Sequence, residues 1–154
     1  MFDADTYETV NSRISEEQVI MNMVNSMLGR MHLASAVHLL SEEKKEYIKE
    51  GIEYYKGLSS AKKVSLPYFP LGFSRFGQEQ VVSGFISKKV IYLAVWNLGG
   101  KGVVDIPIDE YVVKSVKIAY PSKSTEKVDF GDHFVRVYLQ EKEYQARFLE
   151  IEIG

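Results

Sequence analysis

A proline-containing segment at residues 66–73, LPYFPLGF, constrains this chain most strongly. Pro67 and Pro70 each fix φ, remove a backbone donor and push the preceding residue toward extended geometry. We therefore expect neither a helix nor a central strand to run through this segment. Apolar residues repeat at helical spacing before it and alternate at strand spacing after it. The sequence predicts a helical part at residues 1–63 and a β part at residues 64–154, joined by an aromatic segment that packs against both.

The composition excludes several classes of function. The net charge is −2, and neither part has the basic excess expected of a nucleic-acid surface. The chain has no cysteine, which excludes disulfides, thiol catalysis and cysteine metal sites. No apolar run approaches the ~20 residues of a membrane span, and early acidic residues argue against a signal peptide. We expect no nucleic-acid or membrane partner, no cofactor, and a cytoplasmic location.

Residues 15–28 are typical of an amphipathic helix. Ser15 and Gln18 have the spacing of a capping box, in which each side chain bonds the other residue's backbone N–H. Gly29 is a natural stop. The apolar residues that follow the cap are spaced to form one stripe: Ile20, Met23, Val24, Met27 and Leu28. We interpret Met21, Met23 and Met27 as core rather than as an adaptable binding face.

A short apolar segment at residues 30–35, RMHLAS, fits a buried strand. A second helix is predicted to begin after Ser41 and to end near Gly57 and the pair Ser59-Ser60, with alternating glutamates and lysines on a solvated face. Helix, short strand and helix make one and a half units of an alternating α/β fold, which cannot close an architecture alone.

The β part shows about six strands at roughly ten-residue spacing, which favours a small antiparallel sandwich. The first strand begins at Gln80, and the others are predicted at residues 90–96, 103–108, 113–119, 133–139 and 144–153. Lys88-Lys89 occupies a hairpin position. The glycine-rich segment 97–102, NLGGKG, is also interpreted as a hairpin, because a phosphate loop needs a helix to follow it. The predicted fold class is α+β.

Tyr92 and Trp96 share one face of the strand at residues 90–96. Such an aromatic strip can stack a sugar ring, or it can be the surface on which the helical part docks. We favour docking, because the helices must pack somewhere.

Other polar residues give weaker signals. Asp3 and Asp5 could form the carboxylate pair of glycoside hydrolysis, but acids two residues apart near a terminus are more often solvated turn residues. The histidines His32, His38 and His133 lack metal-ligand spacing. We therefore predict no metal site.

Several motifs, in this order, resemble the C-terminal region of bacterial α-galactosidases, the melibiase-like enzymes of glycoside hydrolase family 36, which is related to family 27. The resemblance covers most of the chain and weakens after about residue 100. It rests on Glu17, NMVN at residues 22–25, Met27-Leu28, RMHL at 30–33, LSE at 40–42, KEGI at 49–52, YYK at 54–56, LPYFPLG at 66–72 and YLAVW at 92–96.

The resemblance implies that residues 1–63 are the last segments of a (β/α)8 barrel and that residues 64–154 are the antiparallel β-sandwich domain after it. The family is retaining, and both catalytic aspartates lie upstream of anything present here, so the chain is expected to hold no catalytic residue. Residues 31–35 would form the last barrel strand, whose end faces the pocket. Asp3, Asp5, His32 and Ser35 are the substrate-adjacent candidates. Relatives often have Ser-Gly where this chain has Ala34-Ser35.

The leading hypothesis is therefore a C-terminal portion of an α-galactosidase-like glycosidase, inactive alone and at most a weak binder of α-galactosides. A stand-alone carbohydrate-binding module using Tyr92 and Trp96 is the alternative, and a protein-interaction module is a third. Helices without a barrel would expose apolar stripes. We expect them either to mediate self-association through the helical half or to pack onto the β domain.

Overall fold

The structure, a computed structural model, describes residues 13–33 and 36–154. These residues form helices α1 (Glu16–Met27), α2 (Glu42–Gly57) and α3 (Ser59–Lys63), with a 3-10 helix at Val37–Leu39. The strands are β1 (Leu66–Tyr68), β2 (Gln80–Ser87), β3 (Val90–Leu98), β4 (Val103–Pro107), β5 (Val113–Tyr120), β6 (Val128–Gly131), β7 (Phe134–Tyr138) and β8 (Tyr144–Ile153). The predicted α+β class, with helices first and strands second, is confirmed.

The strands form two antiparallel sheets. One has the order β1-β2-β3-β8-β5 and the other the order β4-β7-β6. Between the sheets lies a core to which β3 contributes Ile91, Leu93 and Val95, the face predicted from their alternation. This is the sandwich-like arrangement expected. Sequence reasoning missed β1 and β6, which are only three and four residues long.

The helices cover the outer face of the five-stranded sheet and build a second core there. Val24 and Met27 of α1 are fully buried in it, together with Ala94 of β3 and Phe148 of β8. The interpretation of the α1 stripe as core is confirmed. The helices therefore pack onto the β part, and the apolar stripe of α1 lies against the sheet rather than at the surface.

Structural features that depend on a few neighbouring residues were predicted correctly. The Ser15 hydroxyl accepts a hydrogen bond from the Gln18 backbone N–H at 3.1 Å, and the Gln18 side chain accepts one from the Ser15 N–H at 2.8 Å. The β2–β3 hairpin turns at Lys88-Lys89, where Lys88 takes φ 56°. Each feature is encoded within four residues and needs no distant partner.

The predicted strand at residues 30–35 is wrong for residues 30–33, which are irregular and leave His32 and Leu33 exposed. Ala34 and Ser35 lie outside the described residues. A strand requires a neighbouring strand to complete its hydrogen bonds, and this segment contacts helices instead. The Met31 N–H donates to the Tyr55 hydroxyl at 3.4 Å, and that hydroxyl donates to the Gly29 carbonyl at 3.2 Å.

Two turn predictions are also corrected. The NLGGKG segment is not a hairpin, because it carries the chain from β3 in one sheet to β4 in the other. Buried Asn97 holds this crossover by donating to the carbonyls of Gln140 at 2.8 Å and Glu143 at 3.1 Å. Ser59-Ser60 begins α3 rather than ending the helical region.

The first three residues of the proline-containing segment form the edge strand β1, which pairs with β2 and contains Pro67. An edge position tolerates a residue that cannot donate a backbone hydrogen bond.

At the far end of β2, the Gln80 side-chain amide donates to the carbonyls of Lys101 at 2.6 Å and Val103 at 2.8 Å, and so joins the two sheets. Within the described residues, no helix is long and apolar enough to cross a membrane.

Candidate functional site

Of the four predicted substrate-adjacent residues, the structure describes only His32. Asp3, Asp5 and Ser35 lie outside the described residues. His32 is exposed in the irregular segment after α1. Their proximity to a substrate therefore stays a prediction.

Tyr92 and Trp96 lie half-buried on the face of β3 that meets the helices. The Trp96 indole N–H donates to the Asn25 side-chain oxygen of α1 at 2.7 Å. Tyr92 stacks on Phe85 of β2, with ring centroids 4.9 Å apart and an interplanar angle of 22°. The docking interpretation of this aromatic strip is confirmed, and sugar stacking by it stays a prediction.

Beside Tyr92, an open cleft of about 510 Å³ runs between α2 and the outer face of the sheet. Glu150 of β8 lines it, accepting a hydrogen bond from the Tyr54 hydroxyl at 2.7 Å and pairing with Lys117 at 2.6 Å. Burial and the Glu150 carboxylate together raise the pKa of Tyr54 far above its usual range. Tyr54 therefore stays protonated and serves as a hydrogen-bond donor. Glu53 adds a carboxylate to the cleft, which can accept hydrogen bonds from hydroxyl groups.

The most buried charged group in the described part of the chain is Arg147 of β8, which is 3% exposed. Its guanidinium binds Glu17 of α1 through two parallel hydrogen bonds, at 2.6 and 2.9 Å. The same group donates to the Glu126 carboxylate and, at 3.1 Å, to the Ser124 hydroxyl. One arginine thus joins a strand, a helix and the β5–β6 loop. We call Arg147, Glu17, Glu126 and Ser124 the arginine cluster.

The protonation states of the arginine cluster follow from its geometry. Burial raises the pKa of the Glu126 carboxyl, but hydrogen bonds from Arg147 and Ser124 outweigh it, so the pKa lies below its usual value. Burial lowers the pKa of Arg147, but its hydrogen bonds to Glu17 and Glu126 outweigh this effect. The pKa of Arg147 therefore lies above its usual value, and the guanidinium stays charged. A glycosidase acid needs a raised carboxyl pKa instead. The arginine cluster therefore suits a structural role.

Sequence reasoning missed the arginine cluster because its members lie as far as 130 residues apart. One local signal was available. Arg147 has the same strand parity as Leu149 and Ile151, which are fully buried, so alternation places it among inward-facing residues. An arginine at such a position needs carboxylate partners, although the sequence does not say which ones.

No group of three or more histidines, aspartates or glutamates among residues 13–33 and 36–154 is arranged to hold a metal ion. His133 is exposed, and its Nδ1 lies 3.0 Å from the Tyr111 carbonyl oxygen. Comparison with known proteins gives no match either to a protein-family model or to a curated protein.

Proposed function

We propose that this chain supplies the C-terminal part of an α-galactosidase-like glycoside hydrolase, without its catalytic aspartates. In this proposal, residues 1–63 correspond to the end of a (β/α)8 barrel and residues 64–154 to the β domain that follows it. Terminal α-galactosides would be hydrolysed by the whole enzyme and not by this chain.

One observation carries the proposal: helices are followed, across the 66–73 segment, by a two-sheet antiparallel β part, in the order that the sequence resemblance implies. The carboxylates of the arginine cluster are consistent with a chain that lacks the catalytic pair. Glu17 and Glu126 both bind Arg147, and the pKa of Glu126 lies below its usual value, whereas a glycosidase acid needs a raised one.

Hydrolysis of an aryl α-galactoside tests the absence of catalysis. We expect no turnover from the purified chain, while a full-length family enzyme assayed beside it releases the phenol. Turnover that co-purifies with the chain through several columns would overturn the statement that it lacks a catalytic pair.

The DNA upstream of the Met1 codon tests the origin of the chain. We expect an open reading frame that continues into a barrel bearing two aspartates. A stop codon immediately before Met1 would contradict the proposal and favour a protein that acts by itself.

Carbohydrate binding is the second candidate function, and the position of Tyr92 favours it. Its ring borders the 510 Å³ cleft beside the carboxylates of Glu53 and Glu150, a combination that can stack a sugar and accept its hydroxyl hydrogen bonds. An NMR titration with methyl α-galactoside should shift signals at this cleft, and Tyr92→Ala should abolish the shifts. Tyr144→Ala, at a tyrosine that is 64% exposed elsewhere, is the matched control. Equal shifts in the wild type, Tyr92→Ala and Tyr144→Ala would exclude sugar binding at this cleft.

A further inference from the structure

The loop at residues 69–76, which we call the aromatic loop, presents phenylalanines to solvent. Phe69 is 39% exposed, Phe73 is 79% exposed and Phe76 is fully exposed. The rings of Phe69 and Phe73 touch, with centroids 4.8 Å apart. Single exposed apolar residues are ordinary, but three phenylalanines within eight residues indicate an interaction surface.

The aromatic loop has a defined shape. Leu71 packs against the core between the sheets, and Tyr68 just before the loop does the same. Two turns shape the loop backbone: the Gly72 N–H donates to the Phe69 carbonyl at 2.9 Å, and the Gln78 N–H donates to the Arg75 carbonyl at 3.2 Å. Gly72 and Gly77 take φ of 75° and 83°, the left-handed region that favours glycine. The backbone that carries the rings is therefore ordered before any partner arrives, which lowers the entropy cost of binding.

The exposed area is large enough for pairing with a second copy. At roughly 200 Å² per fully exposed ring, the three phenylalanines present about 450 Å². Two copies would bring about 900 Å² together from these rings alone. This area is close to the ~1,000 Å² expected of a specific interface.

The charges near the aromatic loop favour the same occupant. Residues 64–79 carry only two charges, Arg75 and Glu79. Both side chains are exposed, and within the described residues neither forms an ion pair. A neutral surface with one charge of each sign matches neither an anionic lipid nor a strongly charged partner. It is complementary to itself, because a two-fold axis can place Arg75 of one copy against Glu79 of the other.

We propose that the aromatic loop is the contact surface of a two-fold homodimer of this chain, with Phe73 and Phe76 at its centre and Arg75 and Glu79 paired across it. The surface differs from the helical half, whose apolar stripe faces the sheet. This inference goes beyond the proposed glycosidase origin and does not depend on it.

Light scattering after size-exclusion chromatography, over a hundredfold range of concentration, tests the homodimer. We expect the mass to rise from 17.6 kDa toward twice that value as concentration increases. The double variant Phe73→Asp with Phe76→Asp should stay monomeric and keep the circular dichroism of the wild type. Phe130→Asp, at a phenylalanine that is 46% exposed on β6, should dimerise like the wild type.

A charge exchange tests the pairing itself. Arg75→Glu and Glu79→Arg should each weaken the dimer at least several-fold, and the double exchange should restore it. A wild-type chain whose mass stays at 17.6 kDa at every concentration would overturn the proposal. This holds even if the monomer binds a separately produced glycosidase barrel through the aromatic loop. Dimers that persist in the Phe73→Asp, Phe76→Asp variant would overturn it too.

Discussion

A buried arginine constrains a fold more than a buried leucine does, because its charge must be balanced wherever the chain places it. In this protein Glu17 and Glu126 balance Arg147, with side-chain exposures of 33%, 15% and 4% respectively. Each partner comes from a different part of the chain. Helix α1, strand β8 and the β5–β6 loop are therefore linked by a contact that no local signal specifies.

Replacement of Arg147 by alanine should be strongly destabilising. The change leaves two carboxylates in a partly buried site without a cation, and we expect a loss of about 3 kcal/mol in the free energy of unfolding. Urea denaturation followed by circular dichroism measures it. Arg136→Ala is the control, since its pair with Asp105 is exposed and should contribute little. Equal effects of the two changes would contradict the structural role of Arg147.

The same residue should make stability depend on acid pH. The pKa of Glu126 in the folded protein lies below the usual value of 4.5, because the hydrogen bonds from Arg147 and Ser124 outweigh the effect of burial. A depressed folded-state pKa contributes stability above the unfolded-state pKa, and that contribution is lost as the pH falls through the folded-state value. The difference in the free energy of unfolding between the wild type and Arg147→Ala should therefore become smaller below pH 4.5. Urea titrations at neutral pH and at several acid values would show it, and a constant gap would be the contrary result.

At the scale of elements, the β2–β3 pairing depends on a glycine. A Cβ on Gly84 would lie 1.8 Å from the backbone oxygen of Tyr92 on the neighbouring strand, so the strands would have to separate. Only glycine permits this close approach.

Gly84→Ala should consequently cost about 3 kcal/mol. Gly57→Ala is the matched control, because nothing lies within 4 Å of its Cβ position and its φ is not left-handed. We expect that change, at the end of α2, to be neutral or stabilising by about 0.5 kcal/mol. Chemical denaturation of both variants measures these changes in the free energy of unfolding. A mild effect at Gly84 would mean that the strands are not in this register.

The elements also show which parts of the fold could be predicted from the sequence. The capping box at Ser15 and the full extent of β8 follow from neighbouring residues, and both were predicted correctly. The strand at residues 30–35 was wrong for residues 30–33, because its apolar pattern was compatible with a strand but no strand was available to pair with it. The NLGGKG crossover could not be distinguished from a hairpin without knowing which sheet receives β4. Of the candidate site residues, Tyr92 and Trp96 were placed on the correct face, whereas the arginine cluster depends on contacts over as many as 130 positions.

For the whole molecule, the five-stranded sheet contributes to two cores, one toward the second sheet and one toward the helices. Polar contacts cross the helix–sheet boundary as well. The Tyr120 hydroxyl donates to the Tyr47 carbonyl of α2 at 3.1 Å, and Trp96 bonds Asn25 of α1. The helical part should therefore not unfold separately from the sheet.

Thermal or urea unfolding should show one transition. Trp96 is the only tryptophan and lies at the helix–sheet boundary, so its fluorescence reports the docking of the helices. Far-UV circular dichroism reports helices and strands together. We expect coincident midpoints from the two probes, as two-state behaviour requires. A fluorescence change that precedes the loss of circular dichroism would mean that the helices undock first.

The hydrogen bonds by which the Gln80 side chain joins the two sheets have a consequence for aggregation. Among the described residues, β4 lies at one side of its sheet and pairs only with β7, so its other side could template a strand from another molecule. The Gln80 amide already occupies the carbonyl of Val103 in β4 and that of Lys101 just before it. An incoming strand would first have to displace this amide. A single side chain on the neighbouring sheet thereby protects this edge against the strand-by-strand growth from which fibrils begin.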